Sequence, residues 1–431
     1  MGLAVGRASR AGLNVITTQV GPRPADFADV RTTNLAVVLR YVRANAPCSR
    51  ADIAASTGLN KATVSSLVAE LIERRLVRET GLAEQRIGRP ATLLVLDGAP
   101  YAAVGIAIDV DHLTVIATDL AGERLLSWHR AFHSRDALPG KAIASIAALA
   151  KRATTRLGSA GRQVLGLTIA VPGLVDPTGD VRFAPGLRWH DVELPGLLQR
   201  AMRRPSFQIT VENYANLAAL AEHRYGAHHV GNLAHLSGGG RIGAGIIAEG
   251  QLLRGGLGFA GELSHLLVDG SGAACDCGRQ GCLEAVAGIP AMIKRLSPRD
   301  LPEDALVDGD PLDLQPEVED LARRARSGEP AVLEELERGG TALGYASWVL
   351  ASVVNPEVVV LGGHYAALAR WLLPAAEAEL TSRIVTADGE GANARCRLVA
   401  SVLGQDASAI GAAARVLDTV DSGQVQTLRA G

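Results

Sequence analysis

The spacing of the apolar residues changes close to residue 99, and this change limits how the chain can fold. Before it, apolar residues recur at helical intervals, and after it short strand-like runs alternate with glycine turns and helices. A chain of 431 residues also exceeds the size at which one hydrophobic core normally stops growing. We therefore expect separate units: a leader over 1–30, a mainly helical domain over 31–98, an α/β domain over 99–418 and a tail over 419–431.

The first domain has the pattern of a helix-turn-helix. A helix is predicted from Thr33 to Asn45, and Ser49 and Asp52 form an approximate capping box for a second one. Asn60 caps a third helix, whose first turns meet base edges in proteins of this architecture. The candidate DNA-contacting residues on that helix are Lys61, Thr63, Ser65 and Ser66.

A basic hairpin is predicted to follow, which makes the domain a winged helix. The runs 76–80 and 92–96 are expected to pair, and Arg86 and Arg89 lie between them on a loop that can enter a narrow minor groove. Ten Lys and Arg stand against five Asp and Glu between residues 31 and 89, although the whole chain carries a net charge of −2. Operator DNA is the predicted partner; a packing module with solvated charges is the alternative. Further arginines expected to neutralise phosphates are Arg40, Arg43, Arg74 and Arg75.

The second domain mixes strands and helices over some 320 residues, which is typical of an α/β architecture with two lobes and a cleft. We expect a small lobe over about 99–212 together with a C-terminal helix over 405–418. The large lobe is expected over about 213–404, and the acidic, proline-rich stretch 297–315 reads as a surface insertion.

One histidine and three cysteines form the strongest chemical signal in the chain. His265, Cys275, Cys277 and Cys282 are spaced H-x9-C-x-C-x4-C and can supply a closed tetrahedral Zn²⁺ site. A closed set leaves no position for activated water, so the zinc is expected to be structural. Reduced cysteines without metal are the alternative.

The chain contains no run of about 18 apolar residues and no signal-peptide core at its start. We therefore expect a cytoplasmic protein without a membrane partner. The uneven cysteine spacing also favours a metal site over a secreted disulfide scaffold.

Several motifs resemble those of the ROK family (repressors, open reading frames and kinases), in the same order along the chain. They are Gly88-Arg89-Pro90, Val171-Pro172-Gly173-Leu174-Val175-Asp176, Val211-Glu212-Asn213-Tyr214-Ala215-Asn216, Gly261-Glu262-Leu263-Ser264-His265 and the segment from Cys275 to Glu284. The resemblance covers roughly residues 33–417. It implies an actin-like (ribonuclease H-like) sugar-kinase-type domain of two lobes, with a sugar bound between them.

By the same resemblance, four residues would bind sugar hydroxyls: Asn213, Glu262, His265 and Glu284. Carboxylates and amides suit a polyol because they accept and donate in fixed directions. His265 could serve both the metal and the sugar, one through each ring nitrogen. Taken singly, each of these residues could instead cap a helix or satisfy a turn.

Two departures from the ROK kinases argue against phosphoryl transfer. The run 107–111, Ala-Ile-Asp-Val-Asp, stands where kinases carry a glycine-containing phosphate loop, and Tyr214 stands where they carry a catalytic aspartate. A phenol is a poor base at neutral pH. Gly186, in Ala184-Pro185-Gly186-Leu187, replaces an asparagine that often contacts sugar, which leaves the ligand's identity open.

The sequence therefore predicts a sugar-responsive, DNA-binding transcriptional regulator. It is expected to repress carbohydrate-utilisation genes, to lack kinase activity, and to act allosterically as a homodimer or dimer of dimers on a pseudo-palindromic operator. Two alternatives remain: a sugar kinase with an appended DNA-binding domain, and a sensor that acts through protein partners.

Overall fold

Three bodies of secondary structure succeed one another in the chain. The computed structural model describes residues 27–82, 92–109, 112–132, 139–270, 272–296, 314–383 and 396–422. Within these residues, no helix is long and apolar enough to cross a bilayer.

The first body contains the three predicted helices and the predicted hairpin, which a short strand at 48–49 extends to a three-stranded sheet. The capping box is present, because the Ser49 side chain accepts from the Asp52 N–H and Asp52 accepts from the Ser49 N–H at 3.0 Å. The Asn60 side chain caps the third helix by accepting from the Thr63 N–H at 2.8 Å. The sheet order is β1-β3-β2. The elements are α1 (Phe27–Asn45), β1 (Cys48–Ser49), α2 (Arg50–Thr57), α3 (Lys61–Glu73), β2 (Val77–Leu82) and β3 (Thr92–Leu96).

A five-stranded mixed sheet forms the second body, which we call the small lobe. Three antiparallel strands make the predicted meander, and two further strands run parallel to the first of them. Helices α4 and α5 cover one face with an apolar core. The sheet order is β11-β7-β4-β5-β6, and a short three-stranded sheet lies beside it. The elements are β4 (Tyr101–Ile108), β5 (His112–Thr118), β6 (Arg124–Ala131), α4 (Pro139–Ser159), β7 (Gln163–Val171), β8 (Leu174–Val175), β9 (Val181–Ala184), β10 (Trp189–Val192), α5 (Leu194–Ala201) and β11 (Gln208–Asn213).

The third body, the large lobe, is a second five-stranded sheet with helices on both faces. The buried helix predicted around 342–353 is the second half of a longer one, α10. One face packs on α7 to α11 and the other on α6. The sheet order is β14-β13-β12-β15-β16. The elements are α6 (Tyr214–Tyr225), β12 (Leu233–Gly238), β13 (Ile242–Ala248), β14 (Gln251–Leu252), α7 (Leu283–Ala287), α8 (Ile289–Leu296), α9 (Leu314–Arg326), α10 (Pro330–Val354), β15 (Val358–Gly363), α11 (His364–Arg383) and β16 (Arg397–Ala400).

The last helix, α12 (Ala407–Asp421), connects all three bodies. It lies on β4, β5 and β7 of the small lobe and packs along α6 of the large lobe. The two helices can approach closely because residue 411 is glycine: a side chain there would overlap the carbonyl oxygen of Leu217. At its C-terminal end, Leu417 and Val420 join the apolar core of the three-helix domain. One helix therefore packs against both lobes and also supports the first domain.

The large-lobe sheet also contains a buried histidine whose ring is predicted to make the protein acid-sensitive. His235 on β12 is fully buried, and neither ring nitrogen has a hydrogen-bond partner among the described protein atoms. Burial lowers its pKa to about 4, whereas an exposed histidine has about 6.5. Because the unfolded chain then binds the extra proton between these values, stability falls as the pH is lowered through that range.

Lowering the pH from 7 to 5 should cost about 2 kcal/mol at His235, and His235→Leu should remove that loss. Urea denaturation at the two pH values measures it. His229→Leu, which changes an exposed histidine, is the matched control and should retain the loss. An equal acid effect in wild type and His235→Leu would refute this assignment.

Candidate functional site

The DNA-contacting residues predicted on α3 lie near its N-terminal end. Lys61, Ser65 and Ser66 are exposed, and Thr63 is half-buried. The opposite stripe, Val64, Leu67, Val68 and Leu71, is buried in the domain core. Arg86 and Arg89 lie outside the described residues. The capped N-terminal end of α3 therefore presents a short polar and basic face.

All four arginines expected on phosphates make contacts within the protein; Arg40 donates to the Ala36 carbonyl at 3.3 Å, and Arg75 lies 3.6 Å from Asp97. Arg43 donates from Nε to Asp421 and from Nη1 to the Leu120 carbonyl. Arg74, which follows the end of α3, pairs at 2.9 Å with Glu70 on the last turn of that helix. The expectation that Arg43 neutralises DNA phosphates is wrong, because its guanidinium is directed into the junction with α12.

Asn213, predicted as a sugar ligand, chiefly holds the start of α6. Its Oδ1 accepts from the N–H groups of Ala215 and Asn216 at 2.8 and 3.2 Å. Its Nδ2 donates to the Gly173 carbonyl at 2.9 Å. Since an amide nitrogen carries two protons, one N–H remains for a ligand. Asn213 therefore caps a helix, as the alternative interpretation proposed. Only its remaining side-chain N–H is left to donate to a sugar.

Tyr214 and Glu284 bind opposite sides of one peptide group in the turn before β13. The Tyr214 hydroxyl donates to the Arg241 carbonyl at 2.8 Å, and the Glu284 carboxylate accepts from the Ile242 N–H at 2.8 Å. Tyr214 and Glu284 therefore both hold this turn in place through hydrogen bonds. Its hydroxyl proton is committed to a carbonyl, so the residue is a structural donor there.

Three carboxylates act electrostatically on the Tyr214 phenol. Burial raises the pKa of Tyr214 well above its usual value, and the charges of Glu284, Asp109 and Glu262 raise it further. Glu262 is exposed to solvent, yet desolvation raises its pKa, and burial raises the pKa of Glu284 to about 7. The charges of the predicted ligands Glu262 and Glu284 thus both act on Tyr214, and Glu284 also shares a peptide group with it.

A segment of the large lobe crosses to the small lobe beside this group. Arg254 Nε donates to Glu212 at 2.7 Å, and a side chain at Gly258 would touch the Val175 carbonyl. Glu212 also accepts from the Asn213 N–H and the Asn216 side chain, both at 3.0 Å. The Glu212–Arg254 pair thus ties the two lobes together next to Asn213. No local pattern marks this pair, since its members lie 42 residues apart.

The four predicted metal ligands converge as the spacing indicated. One donor atom from each of His265, Cys275, Cys277 and Cys282 lies within 4.8 Å of all the others. The loop can close tightly because residue 281 is glycine: a side chain there would overlap the Asp269 carbonyl.

The distances within this cluster suit zinc. Around tetrahedral Zn²⁺, two sulfurs are about 3.8 Å apart and a nitrogen and a sulfur about 3.6 Å. The Cys277 and Cys282 sulfurs are 3.6 Å apart, and His265 Nδ1 is 3.5 Å from the Cys275 sulfur. A hydrogen bond from Arg279 lowers the pKa of Cys277 to about 6, which favours the thiolate that a metal requires. Because Nδ1 of His265 faces the cluster, Nε2 is the nitrogen that could meet a sugar hydroxyl.

A chain of partly buried ion pairs connects helix α6 to the three-helix domain. Arg224, near the end of α6, donates to Asp418 and lies 3.4 Å from Asp421 on α12. Asp421 pairs with Arg43 of α1 at 3.0 Å, and its side chain is only 8% exposed. At the same junction, the Tyr101 hydroxyl donates to the Arg74 carbonyl at 2.7 Å.

Comparison with known proteins supports both parts of the chain. A family model described as the ROK family matches residues 103–419, and a MarR family model matches residues 36–86. The xylose repressor of Bacillus subtilis (strain 168) is 30% identical over 395 residues, which are 91% of this chain and 97% of that protein. The N-acetylglucosamine repressor of Escherichia coli O157:H7 is 29% identical over 83% of this chain and 87% of its own.

Solved structures agree with the topology described above. A ROK family transcriptional regulator, a homologue of the E. coli MLC protein, is similar with a TM-score of 0.75 and 25% identity, over 93% of this chain and 98% of its own. A ROK family glucokinase from Streptomyces griseus, in complex with glucose and AMPPNP, has a TM-score of 0.60 and 25% identity over 73% of this chain and 98% of its own. The predicted fold class, a winged helix followed by an actin-like two-lobed domain, is confirmed.

Proposed function

This chain belongs to the ROK family, and we propose that it is a sugar-responsive DNA-binding regulator that represses carbohydrate-utilisation genes and has no kinase activity. The observation that carries the proposal is the junction: a DNA-binding domain shares its apolar core with the helix that lies along the cleft. The similar repressors of xylose and N-acetylglucosamine genes support the same function. Operator DNA and a small sugar are the proposed partners, and the proposed location is the cytoplasm.

Sugar recognition is assigned to the residues gathered around Tyr214. Glu262 and Glu284 accept from hydroxyls, His265 meets a hydroxyl through Nε2, and Asn213 contributes its remaining N–H. Zinc, held by His265 and the three cysteines, would be structural: it cross-links the loop and fixes the tautomer and direction of the His265 ring.

The absence of kinase activity rests on the state of Tyr214. In the ROK kinases an aspartate in this place takes the proton of the sugar hydroxyl. Tyr214 instead donates its own proton to the Arg241 carbonyl, and its raised pKa removes it further from the role of a base. Purified protein with ATP and any hexose or pentose should form no sugar phosphate; turnover would favour the kinase alternative.

The allosteric route that we propose begins at the cleft end of α6. Sugar binding changes the angle between the lobes, and this change displaces the Asn213 cap and the Glu212–Arg254 pair. The displacement passes along α6 to α12, because the two helices are in backbone contact at Gly411. Arg224, Asp418 and Asp421 then transmit it to Arg43 of α1.

At the DNA, this displacement would alter the spacing of two winged helices in a homodimer or dimer of dimers on a pseudo-palindromic operator. A difference of about 2–3 kcal/mol between the affinities of the sugar for the two conformations suffices for such a switch.

Lys61→Ala tests the DNA-binding face of α3. Lys61 is exposed at the first turn, so its removal should weaken operator binding about tenfold and reduce the salt dependence by about one phosphate contact. Fluorescence anisotropy with DNA from upstream of the chain's own coding sequence, at several salt concentrations, measures both. Lys151→Ala on α4 removes another exposed lysine, from a different domain, and should change neither. Equal behaviour of the two variants would count against DNA binding through α3 and favour the protein-partner alternative.

A further inference from the structure

Helix α3, which carries the predicted DNA-contacting residues, has little positive charge of its own. Its 13 residues include one lysine, Lys61, and two glutamates, Glu70 and Glu73. Cations that neutralise phosphates provide the sequence-independent part of DNA affinity. If α3 enters the major groove, part of this affinity therefore has to come from cations that other elements place beside its exposed face.

Arg31 of α1 is one such cation. Its Nε and Nη2 donate to Oε2 of Glu70 at 2.9 and 2.6 Å, and Nη2 lies 3.5 Å from the Ser66 hydroxyl. The other carboxylate oxygen of Glu70 accepts from Arg74 at 2.9 Å, so two guanidinium groups share one anion. Because Ser66 is exposed and is one of the predicted DNA contacts, the guanidinium of Arg31 lies on the same face of the domain.

The pairing with Glu70 leaves Arg31 able to bind a second anion. A guanidinium carries five N–H groups, of which Glu70 takes one on Nε and one on Nη2. The edge formed by Nη1 and Nη2 still has donors for a phosphate oxygen, and its planar shape suits that contact. The Arg31 side chain is 51% exposed, whereas that of Arg43, which is directed into the junction with α12, is 19% exposed. Glu70 therefore fixes the direction of the Arg31 guanidinium and leaves it open to solvent.

We infer that Arg31 contacts a DNA phosphate beside Ser66, with its guanidinium held in place by Glu70. The inference rests on the proposed function, since it adds a contact to the DNA-binding face of α3. No local pattern marks Arg31 as part of this face, because it precedes the helix predicted from Thr33 and its partner Glu70 lies 39 residues away.

Arg31→Ala tests the contact by fluorescence anisotropy on the full chain, with the same upstream DNA as for Lys61→Ala. The variant should bind about tenfold more weakly, and the salt dependence should fall by about one phosphate contact. Arg31→Lys keeps the positive charge and should restore the salt dependence.

Arg182→Ala is the matched control. Arg182 lies in the small lobe and also donates from Nε and Nη2 to one carboxylate oxygen, that of Asp176, at 2.8 and 2.5 Å. Its side chain is 45% exposed, close to the value for Arg31. Removing it should change neither the operator affinity nor the salt dependence.

A double variant separates a direct phosphate contact from simple neutralisation of Glu70. Arg31→Ala/Glu70→Gln removes one positive and one negative charge, so the net charge of this face equals that of wild type. A direct contact predicts that the double variant still binds more weakly than wild type and with a reduced salt dependence. Neutralisation alone predicts wild-type affinity.

Wild-type affinity in the double variant would overturn the inference, as would equal binding by Arg31→Ala and Arg182→Ala while Lys61→Ala binds more weakly. Both results leave the proposed function standing. Weaker binding by Arg31→Ala with an unchanged salt dependence would overturn it as well, because that is the effect of a disturbed contact between α1 and α3. If wild type and every variant fail to bind, the proposed DNA binding is rejected for this DNA, and the inference falls with it.

Discussion

Asp421→Ala is expected to lower the free energy of unfolding by about 3–5 kcal/mol and to separate the DNA-binding domain from the lobes. The Asp421 carboxylate is 8% exposed and lies against two guanidinium groups, those of Arg43 and Arg224. Its removal leaves both cations in a partly buried place without their shared anion. The domain that depends on α12 for part of its core should then unfold first.

The positions of the tryptophans allow this separation to be seen directly. All four, Trp128, Trp189, Trp348 and Trp371, lie beyond residue 99. Tryptophan fluorescence therefore reports on the lobes, whereas far-ultraviolet circular dichroism reports on the whole chain. In urea, the two transitions should coincide for wild type and diverge for Asp421→Ala, with the dichroism falling earlier.

The control for this variant is Asp320→Ala, which removes an aspartate from ion pairs on the surface of α9. It should cost less than about 1 kcal/mol and leave the transitions coincident. Coincident transitions in Asp421→Ala, with a loss no greater than that of the control, would show that the junction does not hold the two parts together.

Removing zinc should produce the second large effect. A structural zinc contributes several kcal/mol to a loop of this size, so chelation should lower Tm by about 10 °C and weaken sugar binding. Cys282→Ser should reproduce both effects, because the Cys282 side chain is buried and its sulfur lies 3.6 Å from that of Cys277. Differential scanning calorimetry and elemental analysis of the purified protein measure stability and metal content.

Cys396→Ser is the matched control, since Cys396 lies outside the cluster. Wild type and this control should each carry one zinc per chain, and Cys282→Ser should carry none. Wild-type protein that contains no zinc when produced in zinc-supplemented medium, or a Tm that chelation does not change, would support the alternative of unmetallated cysteines.

Local patterns predicted the parts of the fold that local interactions determine. Ser49 and Asp52 are three residues apart, as are Asn60 and Thr63, so the sequence alone identifies these helix caps. The metal cluster was predicted for a similar reason, since its four ligands fall within eighteen residues. Helix α11 is not among the predicted elements, and it contains Pro374 in its interior, where a proline normally argues against a helix.

The junction could not be predicted, because its partners are far apart in the chain. Arg43 and Asp421 are separated by 378 residues, and nothing near Arg43 distinguishes it from an arginine directed at DNA. The same limit applies to one contact of Asn213, because the Gly173 carbonyl that accepts from its side chain lies 40 residues away. Charge patterns along a helix thus indicate which face is charged, whereas the tertiary contacts determine which of those charges remain free to contact DNA.

The most direct test of the proposed function is an operator titration by fluorescence anisotropy, with and without a sugar that a thermal-shift screen identifies as a ligand, and with ATP present or absent. We expect the sugar alone to change the operator Kd by about tenfold or more, and ATP to have no effect. A sugar that binds without altering the operator Kd, or one that acts only with ATP while sugar phosphate accumulates, would contradict the proposal.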